Sequence, residues 1–346
     1  MYDTNAKAIS DQLNATSAQF FSDETIASIL SLVTPTDGTA IVADNLTVEN
    51  NATISEANGT NIVFVNTSAT TQTAVTVTAD IPAIFFQGAG GVDATIGAAP
   101  NSTPTGNASA ATVAGEALER VVVGTEGADT ITIADGKNTQ VVLGDKDTVV
   151  AGSGRTLVVA AEGSSTVIGN DKTVVQAVGA EADFTISTAD GKATIVNATT
   201  GVTVELTDVD FVQLDGDDVL VFADNADQAA VANMYHAALG RNADASGLEF
   251  WFDRVDEGIS LEAIAQGFLS SAEYTALGAQ TDAQFVAELY ENLLGRDADA
   301  AGTAFWTGQL TAGVSRADVL TDFAEASVTG DEVDVVGTVT IIDPTA

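Results

Sequence analysis

Six short runs between Asp129 and Val175 repeat one phrase, a small polar turn followed by Thr and one or more aliphatic residues. The threonines stand at 130, 139, 148, 156, 166 and 173. Taken alternately, Thr130, Thr148 and Thr166 step by 18, while Thr139, Thr156 and Thr173 step by 17. A half-turn of about nine residues is the period of a parallel β-roll, whose alternate strands stack into two sheets. The spacing therefore predicts two threonine ladders and a roll over about 120–178.

The rest of the chain divides around that roll. Residues 5–33 carry Ile9, Leu13, Phe20, Phe21, Ile26, Ile29, Leu30 and Val33 at helical spacing, and Thr34-Pro35-Thr36-Asp37-Gly38 ends the pattern. From 39 to 97 the reading turns to β, with Leu46–Val48, Ile62–Val65, Val75–Val77 and Ile84–Phe86 set between Asn, Gly and Thr turns. Residues 98–115 read as a linker or mobile loop. Beyond the roll, Asp190-Gly191, Thr200-Gly201 and Asp215-Gly216 mark turns of a β cap that shields the open strand edge.

After Asp224 the period becomes helical, and one unit occurs twice, opening at Tyr235 and again at Tyr290. Tyr235-His-Ala-Ala-Leu-Gly-Arg-Asn-Ala-Asp-Ala-Ser-Gly-Leu-Glu-Phe-Trp251 is matched by Tyr290-Glu-Asn-Leu-Leu-Gly-Arg-Asp-Ala-Asp-Ala-Ala-Gly-Thr-Ala-Phe-Trp306. The fold class expected is multidomain α+β. A helical segment (1–38) and a β-rich region with linker (39–119) precede the parallel β-roll and its cap (120–224). An all-helical domain of two repeats (225–330) and a tail (331–346) follow.

Charge narrows the function. With 49 acidic residues against 11 basic, the net charge is -38, a field that repels nucleic acid and anionic membrane surfaces and attracts divalent cations. The 45% apolar content, clustered in short Val and Ile runs, confines disorder to linkers. The chain has no cysteine, which removes disulfides and thiolate metal sites. The longest apolar runs fall well short of a membrane span. Met1 to Ala15 has neither a basic start nor an apolar core, so no cleaved secretory signal is expected.

Calcium ligation in such a roll draws on turn aspartates and carbonyls of successive turns. The residues just before the ladder threonines put Asp129, Asp147 and Ser165 on one edge, and Asn138, Arg155 and Lys172 on the other. Glu126, Asp129, Asp145 and Asp147 are the candidate calcium ligands of the first edge; Arg155 and Lys172 would replace the ion at the second. The alternative is a metal-free roll with solvated turn carboxylates. Asn242 and Asp244, followed by Asp253, resemble the start of an EF-hand loop, and Asp297 and Asp299 repeat it with Gly308 where the closing acid belongs. These two loops read better as helix N-caps than as ion sites. His236, the single histidine, reads as a helix residue, and Trp251 and Trp306 as core anchors rather than sugar platforms.

The doubled helical unit closely resembles the bacterial domain-of-unknown-function 4214 family over about 225–328, with Ala243 and Ala298 where that family commonly has Pro. Residues 120–178 resemble a degenerate repeats-in-toxin β-roll. Together these resemblances imply export by the type I route on a C-terminal signal, which the acidic, then aliphatic tail Asp331–Ala346 would supply. They imply a surface-layer, biofilm-matrix or adhesive protein and carry no catalytic residues. The expectation is a secreted, calcium-associated structural protein that self-associates and is not an enzyme. The alternative is an adhesin holding cell-surface polysaccharide through its helical domain.

Overall fold

A computed structural model describes residues 2–16, 23–55, 59–97, 112–113, 115–216, 218–329 and 338–341. The chain divides into two compact units, residues 1–188 with 192–215, and residues 189–191 with 216–346.

The first unit is a parallel β-solenoid of about six turns across residues 43–177. Its first sheet stacks Ile41–Thr47, Ile62–Asn66, Ala83–Gln87, Arg120–Val123, Thr139–Leu143, Thr156–Ala160, Thr173–Ala177 and Phe211–Gln213 in that order. Its second stacks Ala52–Ile54, Thr73–Val77, Val92–Ile96, Thr130–Ile133, Asp147–Val150, Ser164–Ile168 and Thr203–Thr207. Thr130 lies opposite Thr148 and Thr148 opposite Thr166, while Thr139, Thr156 and Thr173 align in the first sheet. Both predicted ladders are thus columns of the coil.

The coil starts earlier than the ladder does. Ala43 pairs with Ile62, Ile62 with Ala83, and Ala83 with Val121. The region 39–119, expected as a separate β-rich segment, therefore supplies the first turns of the same solenoid. The steps from Ala43 to Ile62 and from Ile62 to Ala83 are longer than those from Thr130 to Thr148 or from Thr139 to Thr156. The expected linker 98–115 falls mostly outside the described residues; within it Thr112–Val113 pairs with Glu116–Ala117. The cap contains a further rung, since Thr203–Thr207 and Phe211–Gln213 pair parallel with the strands before them. Ahead of that rung in the chain, strands Phe184–Ala189 and Lys192–Asn197 turn at Asp190 (φ 53°) and Gly191 (φ 70°), the paired positive φ of a type I′ hairpin.

The two sheets differ in what covers them. Helices α1 (Ala6–Thr16) and α2 (Asp23–Val33) bury Ile9, Ile26, Ile29, Leu32 and Val33 against Ile62, Phe64, Phe85, Val121 and Val123 of the first sheet. The side chain of Leu13, and Phe20 and Phe21, lie outside the described residues. A sheet buried on both faces needs apolar residues at nearly every position, and all four residues of Ile62–Val65 and of Arg120–Val123 are buried. The second sheet instead alternates: Val92, Ala94 and Ile96 are buried while Asp93 and Thr95 are exposed. Register puts Thr53, Thr76, Thr95 and Thr132 in one outward column, with Thr130, Thr148 and Thr166 in the next.

The second unit holds helices α3 (Ala226–Leu239), α4 (Ala245–Asp256), α5 (Leu261–Ser270), α6 (Ala272–Ala276), α7 (Asp282–Leu294), α8 (Ala300–Ala312) and α9 (Arg316–Thr329). Helices α3, α4 and α5 belong to the first repeat and α7, α8 and α9 to the second. Helix α3 is central, packing against α5, α7 and α9 and buried nearly all round. Strand Val219–Ala223 pairs parallel with Thr338–Ile341. The remainder of the expected tail lies outside the described residues.

Candidate functional site

Three places hold the residues that the sequence singled out: the two edges of the solenoid and the doubled helical loop. At the first edge the turns stack so closely that a side chain on Gly127 would lie 2.4 Å from the Gly91 nitrogen. That packing leaves Asp129 and Asp147 only 2% and 1% exposed. Asp129 accepts hydrogen bonds from the Val92 amide at 2.7 Å, the Thr125 amide, and the Thr125 hydroxyl at 2.7 Å. Asp147 accepts from the Asp129 amide at 2.9 Å and the Gly144 amide at 2.7 Å. Each carboxylate thus reaches back to an amide of the preceding turn, and Ser165 takes the next place in register, opposite Asp147.

Burial pushes the carboxyl of Asp129 upward. Asp147 is pushed up to about 7, by burial first and then by the charge of Asp129. Asp145 stays well below the ordinary range because Lys146 donates to it, helped by the Ser164 amide. Glu126 is exposed at the same edge.

Calcium requires about six to eight oxygens converging on one point. Here N–H and O–H hydrogens already converge on Asp129 and Asp147. Among the described residues no group of three or more acidic, histidine or cysteine side chains gathers to hold a metal. Asp129 and Asp147 are thus buried and hydrogen-bonded to the backbone, not solvated as the metal-free alternative supposed.

At the second edge side-chain cations serve as partners. Arg120, 1% exposed, donates to Asp135 at 2.6 and 3.1 Å, and Lys137 bonds Asp80 at 2.6 Å. Arg155 stands 3.1 Å from Glu116, whose carboxyl is held low by that contact and by Asn138. Lys172 is exposed, and its charge helps hold Glu116 low. Sequence reasoning singled out Arg155 and Lys172 but missed Lys137 and Arg120, the most buried of the four. The available signal was an arginine opening the apolar run Arg120–Val123.

In the helical unit the signature residues pack against one another. Asp244 caps α4 by accepting from the Gly247 amide at 2.9 Å and the Ser246 hydroxyl at 2.7 Å; Asp299 caps α8 from the Gly302 amide at 2.7 Å. A side chain at Gly247 or Gly302 would meet the hydroxyl of Tyr235 at 2.1 Å or Tyr290 at 2.4 Å, so each tyrosine requires its glycine. Arg241 lies over the Tyr235 ring and Arg296 over the Tyr290 ring, at 5.3 and 5.0 Å. The Arg241 guanidinium also bonds the Asn242 carbonyl at 2.7 Å and Glu273 at 2.6 and 3.0 Å. Leu248 and Asp253, positions 7 and 12 of an EF-hand loop that opens at Asn242, both lie within α4, and Asp297 is exposed. Trp251 and Trp306 pack on Phe268 and Phe323 at 4.8 and 5.0 Å, whereas their neighbours Phe250 and Phe305 are 46% and 55% exposed. His236 is a half-buried residue of α3, its pKa lowered by burial.

The family model described as Domain of unknown function (DUF4214) matches residues 221–278 and 265–328. No curated protein and no solved structure matches the chain. No helix among the described residues is long and apolar enough to cross a membrane.

Proposed function

We propose that this protein is an extracellular structural protein of the bacterial surface or matrix that self-associates, without catalysis. The observation that carries the reading is the asymmetry of the solenoid: helices roof one sheet, while the other alternates buried residues with exposed or half-buried ones along its length. A coil of stacked backbone ladders is a stiff building element, and a sheet face left uncovered is a surface for assembly. The helical signature supports the same reading, because its Tyr, Gly, Arg, Asp and Trp residues are engaged in packing and capping.

Calcium enters this function between molecules. A chain of net charge -38 repels its copies, and divalent counterions screen that repulsion and bridge exposed carboxylates. Export through the type I route accompanies this reading. Negative-stain microscopy and light scattering of the full chain, with millimolar calcium and with a chelator, test it. Ordered assemblies that form with calcium and disperse on chelation are expected. A strictly monomeric protein at high concentration with calcium rules it out. A second reading, an adhesin binding polysaccharide through the helical domain, draws support from exposed Phe250 and Phe305. Retention of the full chain by cell-surface polysaccharide, lost on Phe305→Ala, would favour it.

A further inference from the structure

The reading above leaves the contact surface open, and charge selects it. The outward threonine columns of the second sheet run beside Val150 and Ile168, which is 38% exposed. Three charged side chains that are not buried stand on the same strands or their neighbour: Asp93, Glu205 and Lys192. Glu205 and Lys192 pair with each other at 2.7 Å, which leaves Asp93 as the net charge. On a molecule of net charge -38, this face is close to neutral.

We infer that the threonine face of the second sheet packs against the same face of a second copy of this chain. The inference rests on the self-association proposed above. A like-charged copy approaches at lowest electrostatic cost where neither partner carries much charge. Threonine suits the contact because its β-branched side chain is held in few rotamers, so little freedom is lost on burial. Its hydroxyl and methyl serve both hydrogen bonding and packing across the pair. A sugar ligand is disfavoured, since these columns hold no aromatic platform.

Size sets the strength. Seven parallel strands about 4.8 Å apart, each giving about 15 Å of length, make a face of roughly 450 Å² per copy. A standard interface buries about 800 Å² per partner. One pair of faces therefore associates weakly, and assembly depends on repeated contacts within a larger array.

The test uses two double variants of the full chain, Thr130→Lys with Thr148→Lys, and Thr130→Glu with Thr148→Glu. Sedimentation velocity with millimolar calcium reads association, and circular dichroism confirms the β signature. A pair that loses this signature is replaced by the same exchanges at Thr95 and Thr132. Each variant alone is expected to weaken association about 100-fold or more, because like charges then oppose one another. An equimolar mixture of the two is expected to restore it. Association of either variant alone at wild-type strength, or no recovery on mixing, overturns the inference while self-association stands. A wild-type chain that stays monomeric refutes the parent reading. Wild-type association strengthened by the lysine variant shows the face meeting an acidic surface, and also overturns the inference.

Discussion

Along the edge that carries Asp129 and Asp147, backbone amides and one hydroxyl supply the partners of buried charge; along the edge that carries Arg120 and Lys137, opposite charges do. The acidic edge relies on dipoles, which leave the two carboxylates repelling each other. The cationic edge relies on full charges, which cancel locally. Four of the chain's 11 basic residues, Arg120, Lys137, Arg155 and Lys172, stand at this second edge. In so acidic a protein, these cations stand where the turns bring Asp80, Glu116 and Asp135 to one edge. One coil thus secures its bends in two ways, by backbone dipoles at one edge and by protein cations at the other.

The largest expected effect comes from Arg120→Met. Removing one member of a buried pair leaves Asp135 short of its cation, a change that typically costs about 3–5 kcal/mol. Urea unfolding of the solenoid measures it; a loss under about 1 kcal/mol would mean that the pair is not what holds the second edge. Next comes Asp129→Ala at the first edge. It strips the acceptor from the Val92 and Thr125 amides and is expected to cost about 2–3 kcal/mol by the same assay. If the two substitutions cost the same as surface alanines, neither edge contributes as described.

Much of this is legible in the sequence, and the gaps have physical causes. The threonine columns are readable because turns of nearly constant length keep one phrase in register. The first turns are not, because the longer steps from Ala43 to Ile62 and from Ile62 to Ala83 break that phrase although the strands still stack. The capping role of Asp244 and Asp299 follows from the loop chemistry. The roofing of one sheet by α1 and α2 does not, since an amphipathic pattern says that a face is buried and not against what. The turn aspartates are recognisable as an edge, yet their partners are hidden. Whether a carboxylate meets a cation or an amide depends on the backbone of the adjacent turn, which the side-chain sequence does not encode.

The edges should also separate by pH. The carboxyl of Asp147 is raised to about 7, so the folded chain keeps a proton that the unfolded chain has released. Stability therefore falls as pH rises from the ordinary carboxylate range towards 7, and levels off above it. Depressed carboxyls such as Glu116 and Asp145 act oppositely below the ordinary range, and the depressed His236 acts oppositely below its ordinary value of about 6.5, so the comparison with Asp147→Asn isolates the Asp147 part. The denaturant midpoint is expected to decrease between pH 5 and pH 7, and Asp147→Asn to flatten that slope. A pH dependence identical in Asp147→Asn and in the unmodified chain would show that Asp147 is ionised throughout.

The smallest expected effect is none, and it separates calcium within the coil from calcium between coils. Amide hydrogens point at Asp129 and Asp147, and the expectation is that no ion stabilises that edge from inside. A ligand that binds only the folded state raises its stability in proportion to the logarithm of concentration over Kd. Without such binding, dilute monomer should show the same thermal midpoint in chelator and in millimolar calcium, at constant ionic strength. Assemblies at high concentration should still disperse on chelation, because the screening they need lies between molecules. A midpoint that climbs steadily with calcium in the dilute monomer would place an ion inside the solenoid, and the contrast between the two edges would then be one of metal against protein cation.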